Sequence, residues 1–155
     1  MLEFSLIASG LHSLAATIWV GGMVFAWAVL RPATGPLEPP VRLQLWSRVF
    51  ARFFPLVWVS VIALPATGYA QVYFDFGGFD AAGMAVNVMH GLGLIMIAVF
   101  LLLIFGPYRA FKARIAAEDW PGAGAQIAHI RRIVGFNMLL GLIVVFIGAS
   151  GRFWP

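Results

Sequence analysis

Four long stretches without a charged residue limit what this chain can fold into more than any other feature. They cover residues 4–30, 53–74, 81–108 and 133–151. Each reaches or nearly reaches the roughly 20 residues that a helix needs to cross the hydrocarbon core of a bilayer. None alternates between polar and apolar residues over about ten positions, as the strands of a membrane β-barrel do. We therefore predict four transmembrane helices, at about residues 5–30, 53–74, 83–108 and 133–151.

The composition agrees with a membrane protein. Of the 155 residues, 62% are hydrophobic and 10% are charged, whereas a soluble domain carries about 25% charged residues. Because modest loops join consecutive spans, we expect one all-α domain over residues 1–155, an integral membrane up-down-up-down four-helix bundle. The chain has no cysteine, which excludes disulfides, thiolate metal sites, iron–sulfur clusters and covalently attached c-type haem.

The basic residues predict how the bundle is oriented. Nine of the ten Lys and Arg residues lie in the loops between spans one and two and between spans three and four. The loop between spans two and three contains Asp75 and Asp80 and no basic residue. The positive-inside rule therefore places both long loops in the cytoplasm and both termini on the outer side. The expected partner is the lipid bilayer and not nucleic acid.

Both cytoplasmic loops contain helical sequence of their own. Residues 41–54 place apolar side chains at helical spacing opposite arginines, which predicts an amphipathic helix lying at the membrane interface. In the second long loop, Trp120, Pro121 and Gly122 predict an interruption, after which helical sequence resumes near Ala125.

Two histidines are the candidate functional residues inside the membrane. No Asp, Glu, Lys or Arg lies within a predicted span, whereas His12 is in the first span and His90 in the third. Both lie roughly 12–14 Å from the outer ends of their uncharged stretches, at about 1.5 Å per residue. In an up-down bundle these two spans are diagonal and face each other. Two imidazoles at one depth are what the axial ligation of a b-type haem needs.

Other uses of these histidines stay open at this point. Together with Met23 and Met89 they offer ligands that suit Cu(I), as in a copper-binding or copper-transporting protein. Each imidazole could instead bond a carbonyl or a serine, in an accessory membrane subunit without a cofactor. His129 lies beside Arg131 at the cytoplasmic end of span four, so we expect it to be solvated or to face lipid headgroups.

Three further residues are candidates for contacting a cofactor or substrate. Trp19 lies further in on the face of span one that carries His12. Asn137 lies just inside the cytoplasmic end of span four, where it could bond another helix or a quinone. Arg152 is near the outer rim, where the propionates of a haem would need hydrogen-bond donors.

Several sequence motifs resemble a known family. The most specific is LHSLAATIWVGGMVFAWAVLRPA, at residues 11–33. The others are RFFPLVW at residues 52–58, ATGYA at 66–70, GPYRAF at 106–111 and RRIVGFN at 131–137. Over nearly its whole length the chain resembles the small stand-alone bacterial form of the copper-resistance protein D (CopD) family. That resemblance implies a multi-pass protein of the bacterial inner membrane, with periplasmic termini and a link to copper uptake.

The chain is also similar, more distantly, to the HemJ-type protoporphyrinogen oxidases, which are four-helix haem proteins. Their first-helix histidine and the W-x-x-G pattern that follows it correspond to His12, Trp19 and Gly22. The chain departs from them at Met138, where they carry an acid, and it lacks their third-helix lysine.

We therefore predict a protein that binds one b-type haem through His12 and His90 and transfers electrons, with the quinone pool or a periplasmic redox partner. Copper binding or transport is the alternative, and a cofactor-free accessory subunit is the third reading. Haem-dependent oxidoreductase activity and assembly into a homo-oligomer are both compatible with the sequence.

Overall fold

The structure is a computed structural model, and it describes residues 2–151 apart from the side chains of residues 2 and 4. Regular structure in this range is entirely helical, and four helical stretches are long and apolar enough to cross a membrane. We call them span one (Ser5–Ala33), span two (Pro39–Phe74), span three (Gly83–Ala116) and span four (Trp120–Ser150). The all-α prediction with four membrane spans is confirmed.

The helices run further than the uncharged stretches. Their bounds are α1 Leu2–Phe25, α2 Arg31–Ala33, α3 Pro39–Phe74, α4 Gly83–Leu103, α5 Arg109–Ala116 and α6 Trp120–Ser150. Two π-helical turns, Ala26–Leu30 and Ile104–Tyr108, join α1 to α2 and α4 to α5. Each π turn lies close to a proline (Pro32 or Pro107), whose missing N–H interrupts the ordinary hydrogen-bond pattern of an α-helix.

The spans pack unequally around the core. Span one packs closely on spans two and four, and span three packs on span four. Spans two and three also meet through side chains, since the ring of Phe100 lies edge-on to Trp58 at 5.4 Å and to Phe54 at 6.0 Å between centroids. Phe100 also contacts Trp19 of span one at 6.0 Å. This packing is compatible with an up-down-up-down bundle.

Glycines allow span one to approach its two neighbours. A Cβ on Gly135 of span four would lie 2.9 Å from the ring of Trp27, and a Cβ on Gly22 would overlap the ring of Phe53. Small residues let helices pack closely in lipid, where burial of apolar surface does not drive association. These two glycines therefore determine how tightly span one packs.

The amphipathic lead-in to span two differs from the prediction. Residues 41–54 do not form a separate interfacial helix, because they are the first part of the 36-residue helix α3. Trp46 and Phe50 are buried, and the ring of Phe50 lies 5.9 Å from Phe111 and 6.1 Å from Tyr108. The part of span three around positions 108 and 111 covers this apolar face of α3.

The predicted interruption before span four is the start of a helix. Asp119 caps α6 by accepting a hydrogen bond from the backbone N–H of Gly122 at 2.9 Å. Pro121 lies in the first turn, where its missing N–H costs nothing because that donor has no partner within the helix. Helix α6 therefore begins at Trp120 and not near Ala125.

Candidate intramembrane histidine site

His12 contacts span two through Thr67. Nδ1 of His12 lies 2.9 Å from Oγ1 of Thr67, and the same hydroxyl donates to the backbone carbonyl of Ala63 at 2.6 Å. A threonine hydroxyl has one hydrogen. Because that hydrogen is directed at Ala63, Oγ1 of Thr67 accepts from Nδ1–H of His12. A neutral imidazole has one N–H, so the same Nδ1–H also serves the backbone carbonyl of Leu64. In this tautomer Nε2 of His12 carries the lone pair that binds a metal.

Gly68 leaves room for the His12 ring. A Cβ placed on Gly68 would lie 3.3 Å from Cε1 and 3.7 Å from Nδ1 of His12. The first distance is tighter than most real contacts of a Cβ, so any side chain at this position would crowd the imidazole. Thr67 and Gly68 together orient the His12 ring against span two.

His90 also contacts span two, but through its other nitrogen. Nε2 of His90 lies 2.9 Å from the hydroxyl of Tyr69, and the two rings are 5.5 Å apart between centroids. Phe79, in the outer loop, lies 4.8 Å from the imidazole. His90 therefore lies in a partly aromatic environment near the loop between spans two and three, with Nε2 engaged by a hydroxyl.

The two histidines contact span two at neighbouring positions but on different sides. Their partners, Thr67 and Tyr69, are two residues apart, which is about 3 Å along a helix axis. The same two positions are about 200° apart around the helix. The structure thus holds His12 and His90 on different sides of span two, each by its own hydrogen bond.

The donor set consists of single imidazoles on different sides of span two. No group of three or more His, Asp or Glu side chains that could hold a metal occurs in the described range. Haem iron needs only one or two axial ligands from the protein. His12 could supply one such ligand, and His90 could supply a second only after leaving Tyr69 and reaching the side of span two that His12 contacts.

The two methionines proposed for copper are not brought together with His12. Met23 is buried in the core, and its position 11 residues after His12 places it about 16 Å from His12 along the helix axis. Met89 faces span four, where its Sδ would lie 3.3 Å from a Cβ on Gly148. His90, by contrast, contacts span two.

Trp19 and Asn137 form a different, central site. Both line a cavity of about 20 Å³ between the spans. Nδ2 of Asn137 donates to the carbonyl of Met96 at 3.3 Å, which joins span four to span three. Oδ1 of Asn137 is buried without a hydrogen-bond partner among the residues described. Neither Trp19 nor Asn137 is among the described contacts of His12 or His90. His129 is exposed, as expected, and Arg152 lies outside the described residues.

Thr67 and Tyr69 were not singled out as histidine partners from the sequence. Thr67 is one of the few residues of span two with a side-chain hydroxyl. Such a hydroxyl in an apolar helix was the sequence signal that could have marked it as a partner for a buried histidine. Which histidine each hydroxyl bonds depends on how spans one and three rotate against span two, and no local pattern contains that information.

The chain matches known proteins in two ways. The family model described as Copper resistance protein D (CopD) matches residues 47–150, which include His90 and begin after His12. A protein of Aquifex aeolicus (strain VF5), named "Uncharacterized protein", is 27% identical over 148 residues, which cover 92% of this chain and 91% of that protein. No solved structure matches the chain. The family match gives no support to the more distant HemJ-type resemblance. Because the family model covers spans two to four and most of the residues, the chain belongs to the CopD family.

Proposed function

We propose that this CopD-family membrane protein binds one b-type haem through His12 and His90 and serves in electron transfer, with the quinone pool as the partner. The observation that supports the proposal is the hydrogen bond from Nδ1 of His12 to Thr67, which leaves Nε2 free. Metal-bound histidines almost always donate their other ring N–H to a nearby acceptor. His90 offers a second imidazole, which would have to leave Tyr69 and reach the side of span two that His12 contacts.

The residues around the two imidazoles have separate roles in this proposal. Thr67 orients His12, Gly68 leaves space beside its ring, and Tyr69 shields Nε2 of His90. When bound, haem would supply one-electron redox chemistry, while the surrounding chain sets its orientation and potential. Since the chain has three histidines and His129 is exposed at the other end, it can hold one bis-histidine haem at most.

An absorption spectrum tests the proposal directly. The full-length protein, purified in mild detergent from haem-replete cells, should show a Soret band and, after dithionite reduction, an α-band. His12→Ala and His90→Ala should each lose or shift these bands. His129→Ala is the matched control and should leave them unchanged. A colourless wild-type preparation would refute haem binding.

Copper handling is the second candidate, because the family model is described as Copper resistance protein D. Here His12 or His90 would bind Cu(I), and Met89, which is adjacent to His90 in the chain, would have to turn away from span four to add its sulfur. Elemental analysis of the purified protein should find copper, and Met89→Leu should lower the amount. Met23→Leu is the control, since Met23 is buried about 16 Å from His12 along the helix. If neither haem nor copper is found, the cofactor-free accessory role remains.

We also propose that the protein resides in the bacterial inner membrane with both termini in the periplasm. The distribution of the basic residues supports this orientation, since nine of ten lie in the two loops that we assign to the cytoplasm. The histidines would then lie towards the periplasmic face.

A further inference from the structure

A large cavity lies at the opposite end of the molecule from the histidines. Its volume is about 800 Å³, and it opens between the end of span one, the first part of span two and the first part of span four. We call it the arginine cavity, because four arginines line it. They are Arg31, Arg42, Arg52 and Arg131. No Asp or Glu is among the lining residues that the structure describes.

The remaining wall of the arginine cavity is largely apolar. Aromatic and aliphatic side chains from all three spans contribute to it. They include Phe25, Trp27, Leu30, Trp46, Phe53 and Ile127. The cavity therefore combines a cluster of positive charge with an apolar surface, and the ligand that complements both is an anionic amphiphile.

The arginines of the cavity have no carboxylate partner within the described part of the chain. The ion pair that occurs there joins Arg114 to Asp119, outside the cavity. Arg31 lies over the ring of Trp27, with Cζ 4.7 Å from the centroid. Arg42 donates to the carbonyl of Gly35 at 3.3 Å. Neither of these contacts neutralises a guanidinium charge.

We propose that the arginine cavity binds one anionic diacyl phospholipid, with its phosphate among the arginines and an acyl chain along the aromatic wall. The arginines flank the ends of the spans, where lipid phosphates lie. Basic pockets between transmembrane helices on the cytoplasmic side are known to bind anionic headgroups. This inference does not depend on the proposed role of the histidines.

Lipid-dependent stability measures the proposed binding. The full-length protein in neutral detergent is heated with phosphatidylglycerol, phosphatidylcholine or inorganic phosphate, and the unfolding midpoint is recorded. A ligand that binds the folded state raises this midpoint. We expect phosphatidylglycerol to raise it at concentrations where the other two do not. Equal effects of both lipids, or a full effect of phosphate alone, would overturn the proposal.

Charge variants locate the binding to the cavity. Arg131→Gln and Arg42→Gln should each weaken apparent phosphatidylglycerol affinity about fivefold, the usual contribution of one basic residue near an anionic membrane surface. Arg132→Gln and Arg48→Gln remove the same charge from exposed residues outside the cavity lining. These controls should retain wild-type affinity. Equal losses in both pairs would mean a general charge effect and would refute the site.

A filling variant tests the acyl-chain part of the proposal. Gly124 lines the cavity, and a Cβ placed there meets nothing within 4 Å. Gly124→Leu should therefore fold and lower phosphatidylglycerol affinity while all four arginines remain. Gly21→Leu is the control, since Gly21 is equally unobstructed and does not line the cavity. Unchanged affinity in Gly124→Leu would refute an acyl chain on this wall.

Discussion

At the scale of single residues, two hydroxyls on span two determine the state of the two imidazoles. Thr67 accepts from Nδ1 of His12 and leaves its Nε2 free. Tyr69 engages Nε2 of His90, the nitrogen that a ligand histidine would most readily offer. Nε2 of His12 therefore has no hydrogen-bond partner among the described contacts, whereas Nε2 of His90 is bonded to Tyr69.

The Thr67 hydroxyl can be removed without changing the shape of the side chain. In Thr67→Val, Nδ1 of His12 loses its side-chain acceptor and keeps only the backbone carbonyl of Leu64, so the ring is held less firmly in one tautomer and orientation. Loss of such a supporting bond typically lowers metal affinity about 10–100-fold. Titration of haem, or of copper, into the metal-free variant measures the change. Thr17→Val is the control, because the Thr17 hydroxyl is exposed and bonds only the Ser13 carbonyl among the described contacts. Wild-type affinity in Thr67→Val would contradict the supporting role.

Removal of the Tyr69 hydroxyl is not expected to lower metal affinity, in contrast to removal of the Thr67 hydroxyl. Tyr69→Phe frees Nε2 of His90 and keeps the aromatic ring beside it. Because ligation by His90 then displaces no hydrogen bond, we expect affinity for the metal group to stay the same or increase by up to about tenfold, the equivalent of one net hydrogen bond. Tyr73→Phe serves as the control, since Tyr73 contacts Phe79 and not His90. A loss as large as that in His90→Ala would show that the hydroxyl is needed for binding.

At the scale of the helices, the amino terminus of α6 is organised by one carboxylate. Asp119 accepts from the N–H of Gly122, and Arg114 donates to its other oxygen at 2.7 Å. Hydrogen bonding to Gly122, followed by that to Arg114, lowers the pKa of the Asp119 carboxyl below its usual value. This short cap connects span three to span four outside the membrane.

The lowered pKa of Asp119 predicts a pH dependence of the helix end. The pKa of Asp119 in the folded protein lies below its unfolded value of about 3.9. The ionised cap therefore stabilises the start of α6 fully at pH values above about 3.9, and this stabilisation is lost as the pH falls through the folded pKa. Amide hydrogen-exchange protection of residues 122–125 should therefore decrease in acid. Asp119→Ala should lose the same protection at neutral pH. Asp119→Asn keeps an acceptor for Gly122 and should retain protection with less pH dependence; equal loss in both variants would contradict this account.

At the scale of the whole molecule, the two ends of the bundle differ in chemistry. The end with the outer loop carries both intramembrane histidines and the aromatic residues around His90. The other end carries the arginine cavity and the aromatic cluster of Phe50, Phe54 and Phe111. The bundle thus separates a candidate metal site from a candidate lipid site by the thickness of its core.

The proposed topology can be tested because the chain has no cysteine of its own. Single substitutions Asp80→Cys, in the loop between spans two and three, and Ala117→Cys, between spans three and four, are both at exposed positions. A membrane-impermeant maleimide applied to spheroplasts should label Asp80→Cys. Ala117→Cys should be labelled only after permeabilisation, and the reverse pattern would contradict the positive-inside assignment.

Some features of the site were within reach of sequence reasoning and others were not. A similar depth for His12 and His90 is a prediction from counting residues along two helices that start on the same side, whereas the side of span two that each ring contacts is given only by the structure. That Met23 belongs to the core follows only from the packing around Phe100 and Asn137. The interfacial helix expected over residues 41–54 became part of span two because the aromatic residues at positions 108 and 111 cover its apolar face.

The amino-acid sequence by itself determined that the chain crosses the membrane four times and where each crossing lies. Transfer of an uncharged helical segment into lipid is favourable whatever its neighbours are, so hydrophobicity along the chain is sufficient information. The tertiary structure alone decided that Thr67 bonds His12, that Tyr69 bonds His90, and that four arginines surround one cavity. His12 and Thr67 are 55 positions apart in the chain, and the arginines of the cavity come from spans one, two and four. Bringing such residues together depends on the rotation and offset of whole helices, to which close packing at positions such as Gly22 and Gly135 contributes.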